Sequence, residues 1–222
     1  IKDGKEVLHQ INDNDYVVTS LPIGLTVPFL KEHLDSKYQK ILNKVVELND
    51  LILIFFHIDK PNFLDESWVF VPDPNVPFHR ISEQKSFDPN MVSSGTILCC
   101  EIMSNSNKNL SSKSNEELYK ITIEGLNNMG FKDINILHKK IINLKNTYPV
   151  FKEGYEEGLN ELLDRLDSFE NFKSIGRQGA FNYIGTLDAM DIGYGFTKWY
   201  ENRNILSWKN ERERTSLYPV LD

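Results

Sequence analysis

The chain has 222 residues, 40% hydrophobic and 26% charged, enough apolar material for a buried core and too much for a disordered or fibrous polypeptide. With 25 Lys and Arg against 32 Asp and Glu, the net charge of -7 removes the attraction on which nucleic-acid and anionic-membrane binding rest. Cys99 and Cys100 are adjacent, and neighbours on a strand face opposite ways, so a disulfide framework is excluded and a cytoplasmic protein is expected.

Residues 5–10 and 16–20 are short apolar-rich runs joined by Ile11-Asn12-Asp13-Asn14-Asp15, whose side chains favour turns by bonding their own backbone, and they predict a hairpin. Leu21-Pro22 ends it. Residues 23–34 and 36–48 carry apolar side chains at helical spacing. Residues 48–58 are too apolar for a half-exposed strand and too short for a membrane span, which needs ~20 residues; a strand buried on both faces fits. Residues 68–71, 79–83 and 96–103 are further strands, separated by proline-bearing turns at 72–75 and 87–90. Residues 105–114 read as a Ser/Asn/Lys-rich loop. Ser114 and Glu117 then make a capping box for a helix ending before Gly130.

Residues 134–146 predict a strand, and 154–166 an amphipathic helix with Tyr155, Leu159, Leu162, Leu163 and Leu166 on one face. A strand at 171–175 leads into Gly176-Arg177-Gln178-Gly179, and a helix runs from Thr186 to about Tyr200. The alternating Glu211-Arg212-Glu213-Arg214 reads as a solvated helix face. Trp68, Phe70, Trp199 and Trp208 read as core or interface aromatics.

Whole reaction classes lack their motifs. His9, His33, His57, His79 and His138 are scattered, with no HExxH, which argues against a metal site. No GxSxG elbow, CxxC, GxxxxGK[ST] or GxGxxG after a strand occurs. The unusual segment is residues 175–191: a strand end, two close glycines around an arginine, then a helix start, the geometry in which backbone N–H groups face an electron-rich ligand. Glycine allows close approach, Arg177 offers a planar fork for phosphate oxygens, and Thr186 can cap the helix. An ordinary glycine-rich turn with a solvent arginine reads equally well from spacing alone.

Gly176, Arg177, Gly179, Tyr183 and Asp188, in the order GRxGxxxY then an acidic residue and a helix, resemble the C-terminal signature of flavin-dependent amine oxidoreductases of the protoporphyrinogen-oxidase and UDP-galactopyranose-mutase kind. Three other stretches agree: 68–89, with its aromatic strand and Pro77-Phe78-His79-Arg80; Tyr148-Pro149; and 2–30, which is similar to a late part of the flavin-binding domain. The pattern departs at His79, where the mutases carry tyrosine, and after Tyr183, where the loop is one residue longer than in the oxidoreductases.

The resemblance implies FAD as cofactor, bound by Gly176, Arg177, Gly179, Asp188 and Ala189, with Arg80, Tyr148 and Tyr183 binding a small-molecule substrate, a nucleotide-sugar or similar anion. It assigns no general base. It implies an α+β fold: a mostly antiparallel sheet with helices on one side as substrate domain (35–152), flanked by flavin-domain segments at 1–34 and 153–222. Because the chain starts at Ile1 without the dinucleotide fingerprint, it is expected to be a C-terminal fragment that self-associates through exposed flavin-domain surface. The alternative is a non-catalytic substrate-binding or interaction module without flavin activity. From the residues alone, Arg80 as a surface ion-pair partner and Tyr148 as a packing residue stay open.

Overall fold

The structure, a computed structural model, describes residues 10–12, 14–104 and 108–218; residues 5–9 of the expected hairpin's first strand lie outside them. The chain divides into two compact units, Leu48–Tyr148 and the combined flanks Ile1–Glu47 with Pro149–Asp222.

The first is a sheet unit. Strands β2 (Leu48–Ile58), β3 (Trp68–Phe70), β4 (Arg80–Glu83), β5 (Thr96–Met103) and β6 (Ile136–Pro149) form a five-stranded sheet in the order β3-β4-β5-β2-β6. The β3–β4, β4–β5 and β5–β2 pairs are antiparallel. Alternation splits the side chains cleanly. Val69, Ile81, Cys100 and Ile54 are in register on one face, and Ile52, Phe56, Ile58, Leu98 and Ile102 join them in the core. Helix α4 (Asn115–Asn128) covers this face with Leu118, Tyr119 and Leu126. Each such side chain contributes about 1.5–3 kcal/mol as an upper estimate.

The capping box at the start of α4 is present: Ser114 Oγ accepts from Glu117 N, and the Glu117 carboxylate accepts from Ser114 N. Mid-helix Gly125 is there for contact, since a Cβ would sit 2.8 Å from Pro77 Cδ. The expected loop at 105–114 contains a short helix, α3 (Lys108–Ser111), and Leu110 joins the core. Buried Glu83 ties the irregular 60–67 segment down: its carboxylate accepts from Phe63 N, Leu64 N and Thr96 Oγ1.

The flank unit is built on two three-residue strands, β1 (Val17–Thr19) and β7 (Phe172–Ser174), paired in parallel with Val17 opposite Phe172. Helix α1 (Ile23–Phe29) is shorter than the expected 23–34 and carries Pro28 within its last turn, where the missing N–H removes one helical hydrogen bond. Helix α2 (Ser36–Val45) buries Tyr38, Leu42 and Val45 against α5 (Tyr155–Asp167), which supplies Leu159, Leu162, Leu163 and Leu166. This packing groups α2 with the flanks. A short turn of helix, α6 (Gly176–Gly179), precedes α7 (Thr186–Glu201) and α8 (Trp208–Ser216).

The charge run on α8 is not a purely solvated face. Arg212 turns inward to a two-point pair with Asp167 and donates to Ser174 O. Beside it, buried Lys173 donates to the carbonyls of Asp167, Phe169 and Phe172, and burial lowers its pKa. Among the described residues no helix is long and apolar enough to cross a membrane.

Candidate functional site

The other face of the sheet carries the polar residues singled out in the sequence. Register aligns Phe70, Arg80, Glu101 and Leu53 in one row and Trp68, Ser82, Cys99 and Phe55 in the next. Arg80 Nε and Nη2 donate to the two carboxylate oxygens of Glu101 at 2.9 and 3.0 Å, and Nη2 also donates to Tyr148 Oη at 3.1 Å. Arg80 and Tyr148, 68 residues apart in sequence, are thus direct partners.

Glu101 is buried, and His79 Nε2 lies 4.0 Å from its Oε2. Sequence reasoning missed Glu101. Its signal was a lone acid inside an apolar strand, a residue that is rarely buried without a partner. Of the two roles expected for Trp68 and Phe70, core placement does not hold: they are 40% and 44% exposed, edge to face at 5.0 Å. The Arg80 guanidinium lies 5.8 and 5.9 Å from the two rings.

Cys99 is closed off on the same face. Burial pushes its thiol up to about 12, with the Glu101 charge adding to the effect, and Cys100 on the core face is also raised by burial. Neither has the electropositive, accessible setting of a reactive thiol. Among the described residues no group of three or more His, Cys, Asp or Glu is placed to hold a metal ion.

The second set of residues lies in the flank unit. Gly176 has φ of 79° and opens α6 directly after β7. Gly179 sits where a Cβ would come 2.9 Å from Ser174 Oγ and 3.1 Å from Thr19 O, so the turn is pressed onto the β1–β7 pair. Phe181 is a buried non-glycine residue with φ of 53°, a costly conformation held by its surroundings. Arg177 is not a plain solvent arginine: Nη1 donates to Ile184 O at 2.6 Å and the guanidinium lies 4.3 Å from the Tyr183 ring.

Asp188 caps α7 by accepting from Gly185 N at 3.1 Å; Gly185, not Thr186, is the N-cap. Ala189 N donates to Gly185 O as part of the helix. The amides of Thr186, Leu187 and Asp188 make up the N-terminus of this 16-residue helix, and Leu187 there is 80% exposed. The structure thus joins Arg177 to Tyr183 in this unit and Arg80 to Tyr148 in the other.

No protein-family model and no curated protein matches the sequence. Solved structures do match. A reduced UDP-galactopyranose mutase aligns with 76% of this chain at a TM-score of 0.63 and 18% identity, using 37% of its own length. A putative protoporphyrinogen oxidase from Exiguobacterium sp. 255-15 aligns with 71% at a TM-score of 0.53 and 13% identity, using 35% of its length. The chain therefore shares its fold with parts of these proteins and spans little more than a third of either.

Proposed function

We propose that the chain is part of a FAD-dependent oxidoreductase in which the flank unit contributes to flavin binding and the sheet unit to substrate binding. The observation that carries the reading is the turn from Gly176 to Asp188, which joins the GRxG pattern of the sequence to a tight seat on β1–β7 and the start of a long helix. These residues fit such a cofactor. Gly176, with its positive φ, lets the chain turn at the edge of the site, buried Gly179 seats that turn on β1–β7, the N-terminus of α7 favours an electron-rich partner, and exposed Leu187 and Met190 offer apolar area for a ring system.

In this reading Gly176, Arg177, Gly179, Asp188 and Ala189 hold the cofactor. Arg177 also keeps Tyr183 and the Ile184 carbonyl in place, and Asp188 sets the direction of α7. The bound flavin would supply a two-electron acceptor. Arg80 and Tyr148, hydrogen-bonded to each other, orient a small-molecule substrate at the sheet unit. The whole protein is then longer than this chain, and the chain alone holds FAD weakly or not at all, since contacts to the adenine end are worth several kcal/mol.

The test is the visible spectrum of purified protein after gel filtration with added FAD. A full-length gene product that elutes yellow supports the reading, and one that stays colourless overturns it. If the full-length protein is yellow and this chain colourless, the chain acts by itself as a binding module. We further propose that the exposed Leu25 and Phe29 of α1 and Leu187 and Tyr194 of α7 mediate self-association of the isolated chain, which sedimentation at two concentrations reads directly.

A further inference from the structure

A diphosphate at Arg80 requires a cation with charge to give. Across β2, β3, β4 and β5, the strand residues on this face are hydrophobic or uncharged apart from Arg80, Glu101 and the terminal His57. Arg80 is already engaged, through Nε and Nη2, by the carboxylate of buried Glu101. A second anion would share one guanidinium with a carboxylate that cannot move into water, and the like charges repel. The accessible part of the face has a different chemistry. Trp68 and Phe70 expose their rings at the β3 edge, with the paired guanidinium beside both.

We infer that this edge receives a flat organic molecule of little or no charge, face to face with one of the perpendicular Trp68 and Phe70 rings and edge-on to the other, rather than a nucleoside diphosphate. Glu101 sets that preference: by neutralising Arg80 it leaves the arginine as a planar wall and a hydrogen-bonding partner of Tyr148. Stacking on exposed rings tolerates many flat molecules, and a buried bidentate pair keeps its geometry as they bind. Naming this molecule the substrate rests on the flavoenzyme reading above; its binding does not.

Saturation-transfer NMR on the full chain without flavin tests the inference, with 2-naphthol as the flat neutral probe and UDP as the diphosphate, each at up to about 1 mM. Naphthol should bind, Trp68→Ala and Phe70→Ala should each weaken it by about fivefold or more, and UDP should give no signal. Both substitutions are at exposed positions, so the fold is retained. Glu101→Gln should allow UDP to bind by releasing the Arg80 charge. Wild-type binding of UDP that Arg80→Ala abolishes would overturn the inference, as would naphthol binding indifferent to both ring deletions, or no naphthol binding. Because flavin is absent from this experiment, its failure leaves the visible-spectrum test untouched, and the reverse.

Discussion

Arg212 and Asp167 form a two-point ion pair of 2.9 and 2.7 Å between α8 and the end of α5, with side chains only 13% and 12% exposed. Removing one partner leaves a buried charge unmatched, so Asp167→Asn or Arg212→Met should destabilise the flank unit by about 3–5 kcal/mol in urea unfolding. The double change Asp167→Leu with Arg212→Met should recover most of that loss. If the single variants unfold at the wild-type midpoint, the pair contributes nothing.

Glu83 is the corresponding fastener of the sheet unit. Glu83→Ala orphans the amides of Phe63 and Leu64 and the hydroxyl of Thr96 together, and a loss of about 2–4 kcal/mol is expected. Hydrogen exchange offers a local readout: the Phe63 and Leu64 amides should exchange faster relative to those of β5. Unchanged exchange there would mean that the segment is held by other contacts.

Gly179 and Gly193 make a matched pair of substitutions. A Cβ at Gly179 meets Thr19 O at 3.1 Å and Ser174 Oγ at 2.9 Å, whereas at Gly193, inside α7, nothing lies within 4 Å. Gly179→Val should lower stability by about 1–3 kcal/mol. Gly193→Ala should raise it by about 0.5–1 kcal/mol through helix propensity. Thermal unfolding of the two variants should therefore shift in opposite directions.

The thiol of Cys99 gives a pH dependence of known sign. Burial raises its folded pKa to about 12, above the value of about 8.5 for an exposed thiol. Its contribution to stability is complete below the unfolded value, declines as pH rises through it, and is gone once pH passes the folded value. Cys99→Ala should accordingly lose less stability than wild type between about pH 8 and pH 11. Iodoacetamide should label neither cysteine of the native protein at about pH 8 and both after unfolding; native labelling of Cys99 would contradict its burial.

The sheet was readable because its strands are short, strongly apolar runs bounded by proline-bearing turns; in Thr96–Met103 Leu98, Cys100 and Ile102 then face α4 and Cys99 and Glu101 face away. The capping box of α4 was equally explicit. What local pattern could not carry was long-range pairing. Val17–Thr19 finds its partner in Phe172–Ser174, and three residues hold no register of their own. Arg212 sits in a run that averages to a solvated surface, and only the position of Asp167 makes it an interior residue. At the candidate site, Arg80 and Tyr148 were individually visible, but the carboxylate that engages Arg80 comes from a strand whose apolar character masked it.

The pairing of Val17 with Phe172 also orders the birth of the molecule on the ribosome. The sheet unit is one uninterrupted stretch and can close as soon as Tyr148 has emerged, whereas the parallel pair must wait until a strand made early meets one made late. In that interval α2 lacks α5, and Tyr38, Leu42 and Val45 stand bare. The nascent chain therefore passes through a stage at which the apolar face of α2 waits for α5 to be made.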